Sequence, residues 1–213
     1  MPTNSNLKRE IEDEFSLQLG SAGFRLIASG KWIRSGKNPI REFFVLNPVK
    51  GGQVSPTWGF SSGITPSFKG GLFRKQSTDK NSVMDLTIDP IDATGVVPSF
   101  AFSPLLGSTF AIRSRVEQSV RLAASDFERV NSLRDFCDFF LERRQLKYHR
   151  FGFDNYVSQR LAYGFVLILN GQKADGLKQI QSFCEKFDVN FNNSILQEHI
   201  QDAESISLKN QLN

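Results

Sequence analysis

The chain has 213 residues, a formal net charge of +4, and 39% apolar and 23% charged side chains; this balance excludes a disordered polar chain and leaves one large globular domain or two small ones. Phe dominates the aromatics, at 20 against 3 Tyr and 2 Trp, and a phenyl ring offers a ligand no hydrogen bond, so most of this aromatic mass belongs to a core. With 2 His and 2 Cys, a disulfide framework is excluded and neither a metal nor a cofactor is expected.

The opening, Met1 to Glu14, is polar and charged and lacks the pattern of a secretory leader. The longest apolar run, Leu161 to Leu169, falls short of the roughly 20 residues a spanning helix needs. A cytoplasmic protein that makes no membrane contact is the expectation. Leu7, Ile11, Phe15 and Leu19 recur every four residues and predict an amphipathic helix over 6–21. Glu10, Glu12, Asp13 and Glu14 favour the positive end of its dipole, and Gly20 and Gly23 close it.

From Phe24 the pattern changes to short apolar runs over 24–28, 31–35, 40–47 and 54–62, separated by Gly, Ser, Asn and Pro. The separators are too short for crossover helices, which predicts an antiparallel meander. Residues 64–82 read as a Gly, Ser and Lys-rich connection. Val83 to Asp89 predicts a strand with Leu86 and Ile88 buried and Asp85, Thr87 and Asp89 wet. Val96 to Leu106, interrupted by Pro98 and Pro104, reads as an edge strand or packed loop. Past Gly107 the period becomes helical, with stripes at Ile112, Val116, Val120 and Ala123, then at Leu133, Phe136, Cys137, Phe140 and Leu141. Ser132 and Asp135 have the spacing of a capping box, and further helices are predicted over 156–170, 173–187 and 194–208. The fold class is α+β: an N-terminal helix and antiparallel β-meander in residues 1–107, then an all-helical part in 108–213, sharing one core or a broad interface.

Charge is uneven along this layout, at +3 for residues 1–50, 0 for 51–100, +3 for 101–150 and −2 beyond. The first basic block, Arg25, Lys31, Arg34, Lys37 and Arg41, surrounds Trp32 and contains no carboxylate; such a hairpin would contact phosphates while the indole stacks a base. The competing reading turns Trp32 into the sheet core and leaves the cations to solvate the other face and guard an edge. The second block, Arg143, Arg144, Lys147, His149 and Arg150, stands at a helix end. There it either complements the helix dipole or meets an acidic partner.

Asp85, Asp89 and Asp92 are the nearest approach to an acidic site, but metal-assisted hydrolysis would want a further Glu, Lys or His, and a solvated strand face is the stronger reading. Cys137 and Cys184 fall in apolar stripes, where a thiol behaves as a small hydrophobe. His199 borders the stripe of the last helix. No phosphate-loop, dinucleotide-fingerprint, H-E-x-x-H or C-x-x-C spacing occurs, and no G-x-S-x-G nucleophile elbow is expected.

Two resemblances add to this reading. Residues 161–187 resemble one tetratricopeptide-type helical hairpin, with Ala162, Tyr163 and Gly164 on its first helix, Gly171 at the turn and Leu177 on the second. The chain departs from that family in carrying Gly176 where alanine is usual, and it has no second copy, whereas a solenoid needs about three. The helix, Gly23-Phe24, the meander with Trp32-Ile33-Arg34 and Phe43 to Asn47, and the later run Phe127 to Leu141 together resemble a bacterial family of domains of unknown function grouped with toxin-immunity proteins. That resemblance implies a non-enzymatic α+β protein that binds another protein, although a mimic of nucleic acid would be acidic and this chain is basic. The expectation is therefore a non-enzymatic protein-binding protein, immunity-like or part of a bacterial defence or stress system, with an acidic protein as partner. A nucleic-acid-binding accessory protein is the alternative, and a metal-dependent hydrolase comes third.

Overall fold

Leu19 and Gly23 decide where the first helix stops. Helix α1 (Asn4–Ser21) buries Ile11, Phe15 and Leu19 on one stripe, and Gly23 at φ +83° lets the Phe24 amide turn back to donate to the Leu19 carbonyl at 2.9 Å. The computed structural model describes residues 4–35, 39–49, 53–76, 78–88, 102, 109–145 and 156–211.

After α1 the described chain forms β1 (Arg25–Ala28), β2 (Lys31–Ser35), β3 (Arg41–Val49), β4 (Gln53–Ser61), β5 (Ser67–Lys69), β6 (Leu72–Arg74) and β7 (Leu86–Ile88). The sheet is antiparallel in the order β1-β2-β3-β4-β7, with β5 and β6 paired as a separate hairpin. Register aligns Trp32, Phe44, Trp58 and Ile88 in one cross-strand row. That row faces the helices: the Phe15 ring lies 4.9 Å from Phe44 and 6.0 Å from Trp32. Phe60 on the same face meets Phe127 at 5.5 Å and Phe139 at 5.9 Å.

The opposite face carries Ile33 and Phe43, also fully buried, because the segment from Ser62 to Asp85 folds across it. The Lys31 ammonium donates to the Ser82 carbonyl at 2.9 Å and Arg41 reaches Asp79 at 2.8 Å. The expected wet face of the last strand is thus corrected. Asp85 is 0% and Thr87 8% exposed, since alternation marks a solvated face only where nothing covers it. Of the expected element over 96–106, Phe102 is described, buried and bridged to Val54; its neighbours lie outside the described residues.

Helices α2 (Thr109–Glu128), α3 (Leu133–Gln145), α4 (Val157–Leu169), α5 (Lys173–Lys186) and α6 (Ser194–Gln211) follow. At the start of α3 the Ser132 hydroxyl accepts from the Asp135 amide at 3.1 Å, and the Asp135 carboxylate accepts from the Asn131 amide at 3.0 Å. This is one residue earlier than a strict capping box. Helix α4 is buried over most of its surface and crosses α5 closely. A Cβ on Gly176 would stand 2.6 Å from the Gly164 carbonyl oxygen, and one on Gly164 would stand 2.5 Å from Ile180 Cγ1. The glycine found where the tetratricopeptide pattern has alanine is what permits that approach. Most buried apolar side chains of the described residues form one cluster from Ile11 to Ala203, with members in both halves, while Ile33 and Phe43 on the other sheet face stand outside it. Among the described residues no helix is long and apolar enough to cross a membrane.

Candidate functional site

The first basic block is held by its own neighbours. Arg25 and Arg41 converge on the carboxylate of Asp79. Arg34 pairs with buried Glu42, donates to the Ala22 carbonyl at 2.8 Å and lies 4.8 Å over the Phe24 ring. Lys31 sits 4.9 Å over Phe43, and burial lowers its pKa. Trp32 is 1% exposed and its indole N–H donates to the Ser16 hydroxyl at 3.2 Å. The stacking role considered for Trp32 is corrected by this geometry, because no base can reach a ring enclosed between α1 and the sheet. Lys37 lies outside the described residues.

The second block is also engaged where it is described. Arg143 is 12% exposed in its side chain and reaches Asp126 at 3.4 Å. Asp126 in turn accepts from the Trp58 indole at 2.8 Å. The Arg144 guanidinium stacks 3.9 Å over Tyr163, tying α3 to α4. Nearby Arg129 forks onto Glu142, and that pairing raises the pKa of the first and lowers that of the second. Both blocks reach α2, Arg34 through Phe127 and Arg143 through Asp126. Lys147, His149 and Arg150 lie outside the described residues.

The carboxylates have separate fates. Asp89 and Asp92 lie outside the described residues, whereas Asp85 anchors the roof over the second sheet face. One oxygen of Asp85 accepts from the Ser62 amide at 2.7 Å and the Ser62 hydroxyl at 2.6 Å; the other is buried without a partner. Desolvation outweighs these bonds and pushes its pKa up to about 7. Gln76 completes the anchor: its amide oxygen accepts from Ser61 Oγ and the Val83 amide, and its amide nitrogen donates to the Thr65 carbonyl. His199 from α6 hydrogen-bonds the Ile64 carbonyl. Among the described residues no group of three or more His, Cys, Asp and Glu could hold a metal ion.

The expected absence of a nucleophile-elbow spacing is corrected. Gly59-Phe60-Ser61-Ser62-Gly63 has the G-x-S-x-G order of a nucleophile elbow, which requires an exposed hydroxyl on a strand-to-helix turn. Here the strand is antiparallel and leads into a turn, and Ser61 is 0% exposed with its hydroxyl given to Gln76. Gly59 has its own packing reason, since a Cβ there would lie 1.9 Å from the Leu86 carbonyl oxygen of β7. The thiols are equally enclosed: burial pushes Cys137 up to about 12 and raises Cys184.

The hairpin of β5 and β6, read from sequence as a connection, presents different chemistry. Its cross-strand pair Phe68 and Phe73 turns inward, the Phe68 ring lying 5.1 Å from Phe183 on α5 and 5.5 Å from Phe187 at its C-terminal end. Alternation then sends Lys69, Leu72 and Arg74 outward. Leu72 is 58% exposed, and Lys69 and Arg74 have no ion-pair partner among the described residues. Gly70 and Gly71, at φ +61° and +76°, form the two-residue turn that both positive angles require. Two strands of three residues each offered too little alternation to be recognised; the Gly-Gly pair between Phe-Lys and Leu-Phe was the available signal. No family model matches the chain, nor does any curated protein or solved structure.

Proposed function

We propose that this protein works by binding an acidic protein partner and carries out no chemistry of its own. The observation that supports this reading is the outward charge of the β5–β6 hairpin. From Phe43 to Thr78 the sequence contains no carboxylate, and Lys69 and Arg74 stay exposed without an ion-pair partner among the described residues. The described cations of the two sequence blocks, by contrast, are spent on Asp79, Glu42, Asp126, the Ser82 carbonyl and the ring of Tyr163. A partner's carboxylates would be drawn by the free cations, mainly through the association rate. The resemblance to domains grouped with toxin-immunity proteins supports a place in bacterial defence or stress, and the two unpaired thiols suit a reducing cytoplasm.

The test is affinity capture from native lysate with mass spectrometry, using the wild type, Lys69→Glu/Arg74→Glu, and Lys178→Glu/Lys186→Glu as a reversal elsewhere on the surface. An acidic protein retained by the first and third and lost by the second is expected. Equal retention by all three would refute a role for the hairpin charge. Nucleic acid co-purifying in its place, seen as a high 260/280 absorbance ratio, would move the reading to the nucleic-acid alternative.

A further inference from the structure

We infer that the β5–β6 hairpin is a preformed docking finger whose outward face, Lys69, Leu72 and Arg74, fits an apolar patch ringed by carboxylates on a partner protein. This rests on the acidic-partner reading and adds the shape and apolar content of the contact. Three features of the hairpin point the same way.

The first is the division of side chains across it. Both rings are used as an anchor on α5: Phe68 packs against Phe73, Phe183 and Phe187, and Phe73 lies 6.5 Å from Phe183. The outward face therefore carries an aliphatic group between cations and offers no ring. Base stacking would fall to the Arg74 guanidinium alone, whereas Leu72 gains only by leaving water against apolar carbon. Leu72, set between the unpaired cations, favours a protein surface over nucleic acid.

The second is preorganisation. Both legs of the hairpin are fixed before any partner arrives. Ser62 is held by Asp85, Thr65 by Gln76 and Ile64 by His199 on one leg; Lys75 pairs with Glu198 at 2.5 Å on the other. A contact face ordered in advance loses little conformational entropy on binding.

The third is clearance. A Cβ added at Gly70 or Gly71 would meet nothing within 4 Å, so the turn stands clear of the rest of the described protein.

The probes are three fluorescein-labelled polymers in an anisotropy titration: a poly-glutamate peptide, a peptide with the same number of glutamates interspersed with leucines, and oligo-dT with the same number of charges. Wild type should bind the Glu/Leu peptide about tenfold more tightly than poly-glutamate, the scale of one partly buried leucine. Leu72→Ser should erase that advantage and keep the poly-glutamate affinity, and Lys69→Glu/Arg74→Glu should lose both. Far-UV circular dichroism checks that each variant keeps its fold. If Leu72→Ser keeps the tenfold preference, the finger is refuted while the acidic-partner reading stands on the charge variant. If wild type binds neither acidic peptide, both fall. If oligo-dT binds most tightly and the charge variant abolishes it, the occupant is nucleic acid and the inference is overturned.

Discussion

Asp85 holds two hydrogen bonds on one oxygen and none on the other, and the residue is 0% exposed. Its pKa of about 7 in the fold lies above the ordinary aspartate value of 3.8. The stabilisation linked to its proton is therefore complete below 3.8 and is lost as pH rises through 7. Urea melts at pH 5 and pH 8 should differ by about 2–3 kcal/mol on its account, the lower pH being more stable. Asp85→Asn should flatten that difference; an undiminished pH dependence in the variant would show that Asp85 is ionised without cost. Cys137, buried and pushed up to about 12, should not react with a thiol reagent in the native protein and should react at once in denaturant. The thiol's placement was legible, because a stripe at helical spacing fixes which side of α3 is inside. Asp85 was not, because its burial comes from a roof supplied by a segment with no regular pattern of its own.

At the scale of elements, periodicity was informative wherever an element was long enough to repeat. The helical stripes and the antiparallel succession of β2, β3 and β4 follow from spacing alone, and Phe136 and Phe140, 1% and 0% exposed, lie on the predicted stripe. Truncating either to alanine should cost about 3–5 kcal/mol, read as a lower urea midpoint. The crossing of α4 and α5 was legible only in part: small residues announced a close hairpin, but the reason for Gly176 is the carbonyl of Gly164 facing it. Gly176→Ala, which restores the residue usual in tetratricopeptide hairpins, should destabilise this protein by about 1–3 kcal/mol through overpacking. A neutral result would mean that the helices separate freely. The two basic blocks show the limit of composition. Runs of cations can be counted in a sequence, but the carboxylates that absorb them, Asp79 and Asp126, are distant in the chain.

For the whole molecule, one buried cluster joins the sheet to the helices, with Phe127, Phe136 and Phe139 packed among sheet residues. Unfolding should therefore be a single event. Both tryptophans lie in the sheet, so their fluorescence follows that half, while far-UV circular dichroism follows the helices. The two denaturation curves should superimpose, and separated midpoints would divide the chain into independent units.

The sheet's two edges also differ. At β7 the outward amide of Thr87 is taken by the side-chain oxygen of Gln159, reached from α4. At β1, four residues long with an offset in pairing between Leu26 and Ala28, Leu26 is 48% exposed and no strand of the described residues lies beyond. An open edge is a template for another chain, and of the two described edges of the five-stranded sheet β1 is the one left without a partner. Strand addition at β1 would use up that edge on both copies at once, so growth of the five-stranded sheet through β1 terminates at a pair.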